Sequence, residues 1–189
     1  MNQILAWLAG GDLRSDGMAG EVAQFVLANP ATIDDLFTGL SETEDVVRGR
    51  TADALEKIAR QRPDLLIEHL PQLIALADTD QVPMVKMHLA MVFGHLAVFD
   101  DVIEQLLAVS YRLLEDPSVF TRSWAIVSLC IIGRKFPQEC QPIVNHLSLL
   151  QGDQSIAIRS RVKNALNLLT NPAAQFPQGW IKSVQLQDI

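Results

Sequence analysis

Four segments of this chain lie under one another in a common frame: SETEDVVRGRTADALEKI from Ser41, DTDQVPMVKMHLAMVFGHL from Asp78, EDPSVFTRSWAIVSLCII from Glu115 and GDQSIAIRSRVKNALNLL from Gly152. Each brings one basic residue to the same place, Arg48, Lys86, Arg122 and Arg159, at spacings of 38, 36 and 37 residues. An acid stands six residues before each anchor: Glu42, Asp80, Asp116 and Asp153. Large apolar residues stand seven after it (Leu55, Phe93, Leu129, Leu166) and ten after it (Ile58, Leu96, Ile132, Leu169). Such a period marks an array of similar units, because a unit of that size cannot bury its apolar face alone and must stack on a neighbour.

Between these segments, residues 33 to 40, 63 to 77, 99 to 115 and 137 to 150 carry apolar residues at helical spacing. Each unit therefore reads as two helices, with the anchor on the second. Strand alternation is almost absent. The punctuation agrees: Ser41 with Glu44 fits a capping box, Asp116 before Pro117 fits an N-cap and first helical position, and Asn171 before Pro172 ends the last helix. Pro71 and Pro142 fall in or near the start of first helices, which they begin or bend.

These residues resemble the HEAT repeats of the armadillo-type α-solenoids. The resemblance rests on paired helices, a proline in the first helix, an acid in the turn and a Val-Arg-like step opening the second, as at Val47-Arg48 and Val85-Lys86. Thr121 and Ile158 stand where valine is usual. What it implies is an all-α fold, a right-handed α-solenoid (α-α superhelix) of about four to five HEAT-like helix pairs. The expected division is capping helices over 1–29, four repeats over 30–171 and an extension over 172–189. Within 1–29, ILAWLA reads as a short helix, GGDLRSDGMAG as a loop and GEVAQFVLA as a second helix. The resemblance also implies a ladder of ion pairs between neighbouring repeats, made by Glu42, Asp80, Asp116 and Asp153 with Arg48, Lys86, Arg122 and Arg159.

In that family the second helices line the concave side. With the anchor as position zero and 100° per residue, positions two, five and nine cluster away from the apolar columns. The expected exposed groove is then Arg50, Asp53 and Lys57; His88, Met91 and His95; Trp124, Val127 and Ile131; Arg161, Asn164 and Leu168. Its ends are basic and its middle is apolar, which marks Arg50, Lys57, His88, Met91, His95, Trp124, Val127, Ile131 and Arg161 as partner-binding candidates. Trp180, Ile181 and Val184, in an apolar tail with no repeat partner, either dock on this patch or form a second interface.

The net charge of −7 hides a segregation by layer. Eleven of the fifteen cations lie in second helices from each anchor onward, against only Asp53 and Glu56 among the acids. A basic layer of this kind steers an acidic partner.

Several chemistries find no matching pattern. His88 and His95 stand seven apart on one helix, about 10 Å along its axis, too far to share one metal. No HExxH, His/Cys cluster, phosphate-binding glycine loop or GxSxG elbow occurs. Neither a cofactor, a metal nor a catalytic residue is expected. Cys130 and Cys140 read as two buried thiols in a reducing compartment, and no run is long enough to span a bilayer, so a cytoplasmic location is expected.

The reading is a non-catalytic scaffold that binds a protein or peptide partner, acidic in character, on its concave face. The alternative is a nucleic-acid-binding protein similar to the HEAT-like alkylpurine DNA glycosylases, with Arg50, Lys57, Arg161 and Lys163 on phosphates. Against it stand a sequence pI near 5.0 and the absence of the Trp and Asp pair that family uses. A third possibility, an accessory chain docked on an enzyme like proteins resembling bilin lyases, has no cofactor signature behind it.

Overall fold

The computed structural model describes residues 3–189. Apolar spacing resolves into ten α-helices and no strand among the described residues: α1 (Gln3–Leu8), α2 (Ala19–Ala28), α3 (Ile33–Phe37), α4 (Asp45–Ala59), α5 (Leu70–Thr79), α6 (Pro83–Leu96), α7 (Ile103–Leu113), α8 (Val119–Lys135), α9 (Pro137–Ser148) and α10 (Ile156–Thr170). Helices α4, α6, α8 and α10 carry the four anchors. They pack side by side in chain order as one layer, extended by α2 against α4. The first helices α5, α7 and α9 pack behind it, and short 3-10 turns open or close most of them. The fold is an all-α array of stacked helix pairs.

The turn chemistry that recurs from unit to unit works through one carboxylate with two jobs. Asp80, Asp116 and Asp153 each accept the backbone N–H two residues on, from Val82, Ser118 and Ser155, at 2.7, 2.8 and 2.8 Å. That bond fixes the turn into the second helix. The other oxygen receives the anchor of the preceding unit: Arg48 Nε on Asp80 at 3.0 Å, Lys86 Nζ on Asp116 at 3.1 Å and Arg122 Nη1 on Asp153 at 2.5 Å. Glu42 has no preceding unit and contributes only its carbonyl, to Arg48. Arg159 has no following unit and donates to the carbonyls of Asp153 and Gln154.

Two caps differ from expectation. The side chain of Ser118, rather than Asp116, caps α8, and Ser155 likewise caps α10 by accepting from Ile158. Ser41 lies in a 3-10 turn, and Glu44 takes the N-cap position of α4 without a side-chain hydrogen bond. In the turns of Asp116 and Asp153 the carboxylate is committed to the backbone N–H two residues on and to the rung, which leaves the serine that follows to cap the helix.

The columns that defined the repeat form the core. Leu55, Phe93, Leu129, Ile58, Leu96 and Ile132 are fully buried, each contributing roughly 1.5–3 kcal/mol. The last unit, with no successor to cover it, leaves Leu166 only partly buried. Close approach of α6 and α8 needs Gly94, since a Cβ there would lie 2.7 Å from Ser128 Oγ. Cys130 is buried and Cys140 half-buried, both as free thiols.

The rung carboxylates predict a contrast. Asp80→Ala and Asp116→Ala each strip a turn bond and a rung and should cost about 2–4 kcal/mol by denaturant unfolding, with Asp116→Ala at the upper end because Lys86 loses its partner whereas Arg48 keeps Asp45. Glu42→Ala should cost under about 0.5 kcal/mol. Equal costs at the three positions would contradict the two-job role.

Candidate functional site

The face of the second helices turned away from the first helices is where the groove was expected. Much of it is covered by the chain's own ends. Arg50 reaches into the loop between α1 and α2 and donates to the carbonyls of Leu8, Gly10, Asp12 and Ser15 at 2.9, 2.7, 3.2 and 3.2 Å. That loop bends around the guanidinium at Gly17, whose φ of +54° and 2.6 Å clearance from Arg50 Cζ exclude a side chain. Arg50 is 5% exposed, a structural plug and not a free cation.

Behind the loop lies a buried network on α4 and α6. Glu56, inaccessible to solvent, accepts Arg60 Nε at 2.9 Å and His95 Nε2 at 3.0 Å on one oxygen, and Arg60 Nη2 on the other. Burial alone would push its carboxyl up, but the His95 and Arg60 hydrogen bonds outweigh it and hold the group at about 2. Asp53 takes Lys57 at 2.5 Å, and His88 Nδ1 stands 3.7 Å away. Burial pushes the His88 imidazole down, with the charges of Asp53 and Glu56 opposing. Asp53, Glu56 and His88 bring one donor atom each within 4.8 Å of one another. Lys57, Arg60 and His95 already occupy the carboxylates, so the set is balanced as a network of ion pairs.

At the other end the C-terminal segment turns back from α10 across the layer. Arg134 donates to the carbonyl of Ala174 at 2.9 Å, Trp180 is 6% exposed, and the Val184 N–H donates to the Arg60 carbonyl at the end of α4, at 2.9 Å. The buried tail residues are Trp180, Ser183 and Leu186, whereas Ile181 is partly covered and Val184 points to solvent. Of the two alternatives for the tail, docking is the one observed, through a different set of side chains than Trp180, Ile181 and Val184.

Arg161 and Lys182 meet at this crossing. The Arg161 guanidinium lies 5.0 Å from the Trp180 ring and 5.9 Å from Trp124, and Lys182 Nζ lies 4.7 Å from Trp124. Burial pushes both cations down, and neither has a hydrogen bond or ion pair among the described residues. Arg161 opens on a cavity of about 500 Å³ walled by Trp124 and Trp180, with Ser160, Asn164 and Gln178 at its margin. A second cavity of about 310 Å³ shares Trp124 and is lined by Lys57, His88, Met91 and Lys182.

The expected groove thus needs correcting residue by residue. Arg50, Asp53, Met91, His95, Val127, Ile131 and Leu168 lie on the expected face but are buried there, under the α1–α2 loop, the tail and each other. Lys57, His88, Trp124 and Arg161 remain partly open, and Asn164 is exposed. Most of the basic layer is likewise spent internally: Lys57 and Arg60 on acids, Arg134 on the carbonyls of Leu168 in α10 and Ala174 in the tail, and Lys135 on the carbonyls of Ala97 and Val98. Sequence reasoning missed Lys182. Its only signal was its place beside Trp180.

No family model matches this sequence, and no curated protein does. Among solved structures, an engineered protein superposes at a TM-score of 0.61 with 16% identity, over 88% of this chain and 78% of its own. A designed armadillo repeat protein aligns at a TM-score of 0.43 with 16% identity, over 89% of this chain and 99% of its own. The first likeness supports the fold, not an activity. No helix among the described residues is long and apolar enough to cross a membrane.

The Glu56 network predicts a pH signature. A carboxyl held at about 2 against an ordinary 4.5 stabilises the fold above pH 4.5 and loses that contribution as the pH falls from 4.5 through about 2. Glu56→Gln should cost on the order of 3 kcal/mol at neutral pH. Denaturant unfolding of both proteins should show the gap closing over that acid range, and a gap independent of pH would contradict the assignment.

Proposed function

We propose that this protein is a non-catalytic interaction module that holds a protein or peptide partner on the second-helix face, the concave side of a HEAT-like solenoid. The observation carrying this reading is the crossing of Trp124, Arg161, Trp180 and Lys182: a buried indole, and a second indole and two cations partly open to solvent, fixed on a frame of stacked helices. Tryptophan and arginine dominate the binding energy of protein interfaces because they combine a large apolar area with a directional polar edge. Held in place beforehand by the ladder and by the tail, they lose little conformational entropy on binding.

A cationic channel tracking phosphates draws less support. Arg50 is committed to loop carbonyls and Lys57 to Asp53, which leaves only Arg161, Lys163 and Lys182 near that face with no hydrogen bond or ion pair among the described residues.

Affinity capture on the full-length protein, with and without nuclease, tests the reading against a variant carrying Trp124→Ala and Arg161→Glu. A protein should be retained through nuclease treatment and lost with the variant, whose melting profile serves as the folding control. Retention of nucleic acid alone, abolished by nuclease, would overturn the proposal.

A further inference from the structure

The cations of the second-helix layer and its tail can be followed one by one to their acceptors. Arg48, Lys86 and Arg122 form the rungs, Arg50 fills the α1–α2 loop, Lys57 and Arg60 sit on Asp53 and Glu56, and Arg134 and Lys135 hold chain carbonyls. Arg159 caps its own turn, and Lys163 stands exposed in solvent. Arg161 and Lys182 are different: each is half-buried, and neither meets an acceptor among the described residues.

Removing a charged group from water without an acceptor is costly. The indole faces of Trp124 and Trp180 compensate in part, since a π face attracts a cation without using its N–H donors. Those donors are then left free at the cavity beside them. No carboxylate lines that cavity, while Ser160, Asn164 and Gln178 add neutral polar groups at its margin. Lys182 Nζ lies 4.7 Å from the Trp124 ring and lines the neighbouring cavity toward α4 with Lys57 and Arg60, where Asp16 and Asp53 are also present.

We propose that the Trp124–Arg161–Trp180 cavity is a carboxylate subsite, receiving an Asp or Glu side chain of an extended acidic segment in a partner protein, with Lys182 as the second cation along the segment's path. This rests on the interaction-module reading and names the chemistry of its partner. A carboxylate matches the planar fork of a guanidinium edge-on, so two parallel hydrogen bonds form while the guanidinium keeps its stacking on the indoles. The cavity, at about 500 Å³, has room for one such side chain with its backbone. The overall charge of −7 repels acidic peptides in general, so their retention depends on this local positive site.

The test is fluorescence anisotropy on the full-length protein with three labelled probes: a short glutamate peptide, the glutamine peptide of the same length, and a short oligothymidine. The glutamate peptide should bind, with the glutamine peptide weaker by roughly tenfold or more. Arg161→Gln and, separately, Lys182→Gln should each weaken the glutamate peptide by roughly tenfold. Arg62→Gln, an exposed cation paired with Asp64, should leave it unchanged. Equal binding of the two peptides, full affinity in Arg161→Gln, or tighter binding of oligothymidine than of the glutamate peptide would overturn the subsite. If the glutamate peptide fails while Trp124→Ala still releases a captured protein, the subsite falls and the interaction module stands.

Discussion

Everything in this array depends on one carboxylate per turn serving two elements at once. Asp80, Asp116 and Asp153 each hold the start of their own second helix through a backbone N–H and hold the preceding unit through its anchor cation. Local turn geometry and the stacking of units are thereby coupled: a unit whose turn opens also loses its neighbour. Apolar burial supplies the bulk of the free energy, but it is non-directional and would tolerate slippage along the layer. The rung is directional and ties each second helix to the turn of the next unit, in an array whose core holds Leu55, Phe93 and Leu129 fully buried.

A layer with few acids and many cations would repel itself if it stood open. The protein resolves this by folding its own ends over the layer, so that most cations find carbonyls or carboxylates within the chain. Arg50 gathers the loop after α1, Arg134 gathers the start of the tail, and the Arg60 backbone receives the tail's far end. Among the described residues, the cations of this layer left without a hydrogen bond or ion pair are Arg161 and Lys182 beside their tryptophans and exposed Lys163. Structure and proposed recognition are thus parts of one charge distribution, in which the surface left for a partner is the surface the termini do not reach.

The repeated part of this design was legible in the sequence because repetition writes the same side chain into the same position several times. Arg48, Lys86 and Arg122 with the acids of the following units could be aligned directly, and so could the core columns. The closure of the face occurs once and leaves no column. Helical rotation put Arg50, Met91, Val127 and Ile131 on the correct side of their helices, yet the side counts as exposed only if nothing lies over it. An apolar tail with Trp180 pointed to a cover, but spacing along an irregular segment does not say which residues turn inward, and Ser183 and Leu186 do so where Val184 does not. Glu56 and His95 found each other across two helices, a pairing that register alone does not single out.

The charge distribution of the second-helix face depends on the tail lying over it. Amide hydrogen exchange across the full-length protein addresses this most directly, because the Val184 N–H is bonded to the Arg60 carbonyl and the Trp180 N–H to that of Pro177. Slow exchange at Val184 and Trp180, approaching that of α4, is the predicted result. Exchange at both positions as fast as in an unstructured peptide, with α4 to α10 protected, would mean that the face is open and that its cations are free.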